Sequence, residues 1–203
     1  MGFYEKHFLP HFINCACSSK PMMKQRQTVV PLASGTVLEI GIGTGLNLPY
    51  YQASKVERLI GLDPSEESWV LAGERAAHVD FDVEFIGLPG EEIPLDENSV
   101  DTVLVTFSLC TIPDPVAALQ GMRRVLRPDG ELLFCEHGLA PDSSVVKWQN
   151  RVNGIWGKIA GGCHLNRNIP ALLHDGGFTI ENLQQEYIPG TPRFAGYNYW
   201  GGA

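Results

Sequence analysis

Long apolar runs are missing from this chain. No stretch approaches the roughly 20 consecutive apolar residues of a membrane span, so no integral membrane segment is expected. The first residues, Met1-Gly2-Phe3-Tyr4-Glu5-Lys6-His7, lack the charged and then apolar regions of a secretory signal. Positive charge is scarce too: 15 Lys and Arg stand against 23 Asp and Glu, a net charge of -8. That balance argues against a general nucleic-acid binder. Internal repeats and low-complexity tracts are absent. The five cysteines (15, 17, 110, 135 and 163) are an odd number in a chain too large to need disulfide staples. They read as reduced thiols of a cytoplasmic protein.

What is present suits one globular domain with a small appendage: 203 residues, 44% hydrophobic and 19% charged. Charge is unevenly spread. Residues 1–28 hold Lys6, Lys20, Lys24 and Arg26 against Glu5, a net of +3, and the remainder carries -11. From Thr36 onward, apolar runs alternate with helical patterns. Strands are expected at Thr36–Ile40, Arg58–Leu62, Val83–Ile86, Val100–Phe107 and Glu131–Cys135. Between the second and third, Pro64 suits a first helical position, with Trp69, Val70, Ala72, Ala76 and Ala77 as the buried side. A helix over Pro115–Leu126 ends at Arg127-Pro128-Asp129-Gly130. Residues 144–159 carry Val145, Trp148, Val152, Ile155, Trp156 and Ile159 at helical spacing, and Pro170–Asp175 form a short helix closed by Gly176-Gly177. Thr179–Tyr187 and Ala195–Trp200 are the last strands expected. The alternation predicts an α/β, doubly wound, Rossmann-like sheet with its ligand site beyond the strands' carboxyl ends. Residues 139–168 form a helical insertion placed where a lid would cover that site.

The most informative segment is Leu38-Glu39-Ile40-Gly41-Ile42-Gly43-Thr44-Gly45. A dinucleotide fingerprint wants a glycine where Leu46 stands, and Pro49 interrupts the phosphate-binding helix. The pattern is instead Gly-x-Gly-x-Gly, followed by Asp63 at the end of the next strand, where a carboxylate can accept both hydroxyls of a ribose.

These residues resemble the class I S-adenosylmethionine-dependent methyltransferases. The resemblance covers residues 36–203 and extends through Pro94-x-x-x-x-Ser99-Val100-Asp101 and Arg124-Val125-Leu126-Arg127-Pro128-Asp129-Gly130. It implies a seven-stranded sheet with an antiparallel last strand, and S-adenosylmethionine as cofactor. Residue by residue, it implies that Glu39 anchors the methionine ammonium and that Gly41, Gly43 and Gly45 lie under methionine and ribose. Asn47 is placed at the methionine end. Asp63 takes the ribose, Pro64 begins the helix flanking adenine, and Thr106 and Phe107 line the methionine side. Relatives with an aspartate after the third strand use it on adenine. Here the stretch is Gly87-Leu88-Pro89-Gly90-Glu91, which leaves adenine to backbone near Leu88 and Gly90, with Glu91 as a helper. Residues 1–35 would be a helical cap over the cofactor, with Tyr4 near the methionine end. The alternative for residues 1–28 is a weak contact with an anionic membrane through Lys20, Lys24 and Arg26.

Ser108-Leu109-Cys110, Cys135-Glu136-His137 and Gly162-Cys163-x-Leu165-x-Arg167 resemble the methyltransferase-like proteins that methylate alkyl thiols, whose bacterial relatives are labelled phospholipid or ubiquinone-type methyltransferases. Methyl transfer to a thiol needs the thiolate. His137 is then either the general base or a structural, orienting group. Cys110 lines the acceptor side. Arg167 pairs with Glu136, binds an anionic substrate, or is a solvated charge. Trp148 walls an apolar pocket or belongs to a packed stripe. No metal is expected: Cys15, Cys17, Cys163 and His164 have the wrong spacing for zinc and read as free thiols and an imidazole. The expected partner is a small-molecule methyl acceptor, with phospholipid or quinone-like acceptors, or a cofactor-binding module without catalysis, as alternatives.

Overall fold

The computed structural model describes residues 17–203; Tyr4 and Cys15 lie outside them. In chain order the elements are α1 Lys20–Val29, β1 Gly35–Ile40, β2 Val56–Leu62, α2 Glu66–Ala76, β3 Asp82–Ile86, β4 Val100–Thr106, α3 Pro115–Val125, β5 Leu126–His137, α4 Ser143–Ile159, α5 Ile169–Asp175, β6 Asn182–Tyr187 and β7 Tyr197–Gly202. The seven strands are ordered β3-β2-β1-β4-β5-β7-β6. β1 to β5 run parallel, and β7 lies antiparallel between β5 and β6. No helix among the described residues is long and apolar enough to cross a membrane.

The central strands are apolar on both faces because both faces are covered. Leu38, Ile40, Val103 and Val105 pack with Leu119 and Met122 of α3 and Leu173 of α5. Their neighbours Val37, Leu104 and Leu133 pack on the opposite side with Val29 of α1 and Leu59. Strand order reverses between β1 and β4, opening a crevice at their carboxyl ends.

Several local expectations need correction. α2 starts at Glu66, capped by the Ser65 side chain on the Ser68 N–H. Pro64 therefore precedes the cap instead of opening the helix. Val70 is 77% exposed, while Trp69 stacks on Phe85 at 4.9 Å and 3°. β5 begins at Leu126, and a register irregularity opposite Val100–Thr102 takes Arg127–Gly130 into the strand. β6 is shorter than expected, Asn182–Tyr187, and β7 is shifted to Tyr197–Gly202. Only part of the α4 stripe is covered: Val145 joins the core and Trp156 meets Phe194 edge-on at 6.2 Å, whereas Trp148, Ile155 and Ile159 are 61%, 68% and 50% exposed. A polar side chain also holds α4. Gln149 Oε1 accepts from Ala140 N (3.0 Å), and its Nε2 donates to the carbonyls of Gly138 (2.9 Å), Leu165 (2.8 Å) and Phe194 (3.1 Å).

Candidate cofactor and acceptor site

β1 delivers its last residue, Ile40, into a loop whose glycines adopt left-handed φ: 72° at Gly41, 51° at Gly43 and 73° at Gly45. At Gly41 a Cβ would lie 2.1 Å from Ser108 Oγ, so only glycine lets the loop pass the β4 exit. β2 ends one residue before Asp63. The Asp63 carboxylate accepts Ser65 N at 2.8 Å through Oδ1 and Gly43 N at 2.9 Å through Oδ2. Burial raises its pKa, and the two N–H donors pull it part of the way back.

A cavity of about 430 Å³ occupies the crevice. Gly41, Gly43, Asp63 and Pro64 line it on the β1–β2 side, Gly90 and Glu91 on another, and Thr106 and Phe107 at the β4 exit. Four expected cofactor residues stand behind this wall. Gly45 packs against Leu48 and Ala72, and Leu88 leans on the apolar core. Glu39 and Asn47 are buried. Glu91 Oε1 accepts Asp114 N at 3.0 Å, while its buried Oε2 finds no partner among the described residues.

Glu39 and Asn47 belong to a network that sequence reasoning missed. Asn47 Nδ2 donates to Glu39 Oε1 and Thr106 Oγ1, both at 2.9 Å, and Tyr51 OH donates to Glu39 Oε2 at 2.7 Å. Arg26 Nη1 donates to Asn47 Oδ1 and Thr106 Oγ1, both at 2.7 Å, and its guanidinium stands 5.1 Å over the Phe107 ring. Arg26 is 5% exposed and lines the cavity, which removes it from the alternative of a membrane-facing basic head. Burial pushes the Glu39 carboxyl up to about 7, against the pull of Tyr51, Arg26 and Asn47.

On the acceptor side, Glu136 is buried at the end of β5. Its Oε1 accepts Ser108 N at 2.6 Å and Leu109 N at 3.0 Å, fixing the turn after β4. Arg167 makes no hydrogen bond to Glu136: its Nη1 donates to the Leu109 carbonyl. His137 does not line the cavity. Its Nε2 lies 3.2 Å from Cys163 Sγ, and its buried Nδ1 finds no partner among the described residues. Cys110, His137 and Cys163 place their ligand atoms within 4.8 Å of one another. His164 turns away, to Asn153 at 3.1 Å. Trp148 points to solvent, away from the cavity. Of the insertion, Gly161 lines the cavity and α4 itself does not. Cys17 also lines it.

A half-buried acid fastening a left-handed glycine loop at the switch point of a parallel sheet defines a Rossmann-like protein. Comparison with known proteins narrows the class. Residues 38–134 match the family described as "Methyltransferase domain". The chain is 34% identical over 164 residues to thiol S-methyltransferase TMT1B of Homo sapiens, covering 77% of this chain and 66% of that protein. It is 32% identical over 105 residues to phosphatidylethanolamine N-methyltransferase of Cereibacter sphaeroides, covering 51% of each. A solved SAM-dependent methyltransferase from Aquifex aeolicus superposes with a TM-score of 0.66 at 18% identity, over 96% of this chain and 98% of that one. The chain belongs to the class I S-adenosylmethionine-dependent methyltransferases. It spans 55–66% of the length of the first three thiol S-methyltransferases it matches.

Proposed function

We propose that this chain is an S-adenosylmethionine-dependent methyltransferase whose acceptor is a small apolar thiol. The observation that carries the cofactor reading is Asp63, held by two backbone N–H groups at the rim of a cavity walled by glycines in left-handed conformation. The fit is chemical. Asp63 keeps lone pairs for the two ribose hydroxyls. Gly41 and Gly43 let backbone lie against the ligand. The Arg26 guanidinium, whose buried Nε finds no partner among the described residues, suits the methionine carboxylate. Glu39, reached through Asn47, suits the ammonium. The partnerless Glu91 Oε2 suits the adenine amino group.

The bound cofactor would supply an electrophilic methyl on sulfur. The protein's part is orientation and exclusion of water. Thr106 and Phe107 hold the β4 exit, Glu136 fixes the Ser108–Leu109 turn beside it, and Gly161 closes the far side. A thiol with a pKa near 8.5 is a few per cent thiolate at neutral pH, so the acceptor can ionise in place. Identity with a thiol S-methyltransferase over 77% of the chain favours this acceptor.

A second reading is supported by the exposed Trp148 and Ile155 on α4, whose following turn reaches the cavity. That face suits an acceptor presented at a lipid surface, a phospholipid or quinone. Radiolabelled methyl transfer to a panel of small thiols, amines, phenols and phosphatidylethanolamine vesicles separates the two. Label in thiols alone supports the first reading, and label in the vesicles alone overturns it.

A further inference from the structure

We propose that Cys110, His137 and Cys163 form a three-ligand zinc site whose fourth position takes the acceptor thiol. The inference rests on the thiol reading for the occupant of that fourth position only.

The three residues come from three segments that no short motif joins: the turn after β4, the end of β5 and the turn after α4. Their ligand atoms nevertheless converge within 4.8 Å. Tetrahedral zinc, with Zn–S of about 2.3 Å and Zn–N of about 2.0–2.1 Å, needs its ligands about 3.5–3.8 Å apart. The 3.2 Å between His137 Nε2 and Cys163 Sγ is already close to that. Cys110 Sγ makes long contacts, 3.7 Å to the Phe107 carbonyl and 3.5 Å to Thr111 Oγ1, and meets the Cys163 thiol, contacts that a small rotation toward a shared ion would exchange.

The segments are braced independently of any metal. His164 N donates to the Cys110 carbonyl at 2.8 Å, tying the two cysteine turns together. Glu136 holds the first turn through Ser108 and Leu109. Gln149 holds the second through Leu165. Cys135 gives the contrast: it is fully buried in an apolar cluster and stands outside the convergent group. Two thiolates balance the charge of one zinc ion, so the site is neutral and needs no counter-ion in a poorly hydrated position.

Three protein ligands leave one tetrahedral position open. None of the three ligands lines the cavity itself, but Thr111, next to Cys110, and Gly161, two residues before Cys163, both do, so the open position would be reached past that wall. A thiol binding the zinc releases its proton to solvent and is held as thiolate. The thiolate sulfur then forms a bond to the donor methyl, while the bond from that carbon to the positively charged donor sulfur breaks and leaves its electron pair there. A neutral thioether and a neutral sulfide result. The thioether is a weak ligand and departs.

The test is a Co²⁺ titration of the reduced, chelator-stripped full chain. One equivalent should bind with the thiolate-to-cobalt and four-coordinate visible bands, and Zn²⁺ should displace it. Adding butanethiol should shift those bands. Cys110→Ser and Cys163→Ser should weaken uptake beyond the roughly 10–100-fold expected from losing an outer-shell partner, and Cys135→Ser should not. Melting curves confirm that each variant is folded, and the unmodified chain tests the proposal alone. No stoichiometric uptake, or a Cys110–Cys163 disulfide in its place, overturns the site. Uptake insensitive to butanethiol overturns the open position. Full thiol methylation after chelation overturns the metal's role while leaving the thiol reading standing. Cobalt uptake with no methylation of any thiol has the converse meaning: the site stands and the thiol reading falls.

Discussion

Asp63 and Gly43 are joined directly: the Gly43 N–H donates to Asp63 Oδ2 at 2.9 Å. The end of β2 thus sets the shape of the loop that follows β1, and one carboxylate serves both loop and ribose. Asp63→Ala should remove charge-assisted bonds of about 1.5–3 kcal/mol each. Calorimetry should show S-adenosylmethionine affinity falling at least about tenfold. Unchanged affinity would mean that the ribose sits elsewhere.

Glu39 makes stability depend on pH. Its folded carboxyl titrates near 7 against an ordinary 4.5, so the folded chain holds a proton that the unfolded chain has released. The contribution of Glu39 to stability is fully present below about 4.5, is lost as pH rises to about 7 and is level above, by ~3 kcal/mol at most. Urea unfolding across that range should show the fall, and Glu39→Gln should flatten it. An equal slope in the variant would assign the effect to another group.

Gln149 satisfies four backbone groups around α4. Gln149→Leu leaves them unpaired and should cost about 2–4 kcal/mol. Hydrogen exchange should quicken first in residues 138–140 and 163–167. A loss spread evenly over the sheet would contradict a local pin.

The part of the insertion that faces the cavity is the turn at 160–164. Bound S-adenosylhomocysteine should slow exchange there and leave the body of α4 nearly unchanged. Protection confined to 144–159 would mean that the helix moves over the cavity on binding.

The core strands and the glycine loop were legible because their signals are local. Val103, Leu104 and Val105 read as a strand without a partner in view, and Gly41 and Gly43 mark left-handed backbone wherever they stand. Spacing on α4 revealed an apolar stripe but not whether anything covers it, since cover depends on other elements. Arg26 was unreadable for a related reason. Its acceptors, Asn47 and Thr106, lie 21 and 80 residues away, and charge counting alone sends an arginine to the surface. Cys110, His137 and Cys163 meet only after three connections have folded, so the sequence weighed only Cys163-His164 with Cys15 and Cys17, whose spacing argued against a metal.

The placing of β7 between β5 and β6 has a kinetic meaning. Among the described residues β6 has no sheet neighbour other than β7, so it cannot join the sheet ahead of it. The crevice between β1 and β4 needs neither strand and can be complete while that edge is still open. Gln149, by contrast, takes one of its acceptors, Phe194, from the loop between β6 and β7. During folding, the cofactor half of the cavity can therefore form before β6 and β7 dock, whereas the bond from Gln149 to Phe194 waits for them.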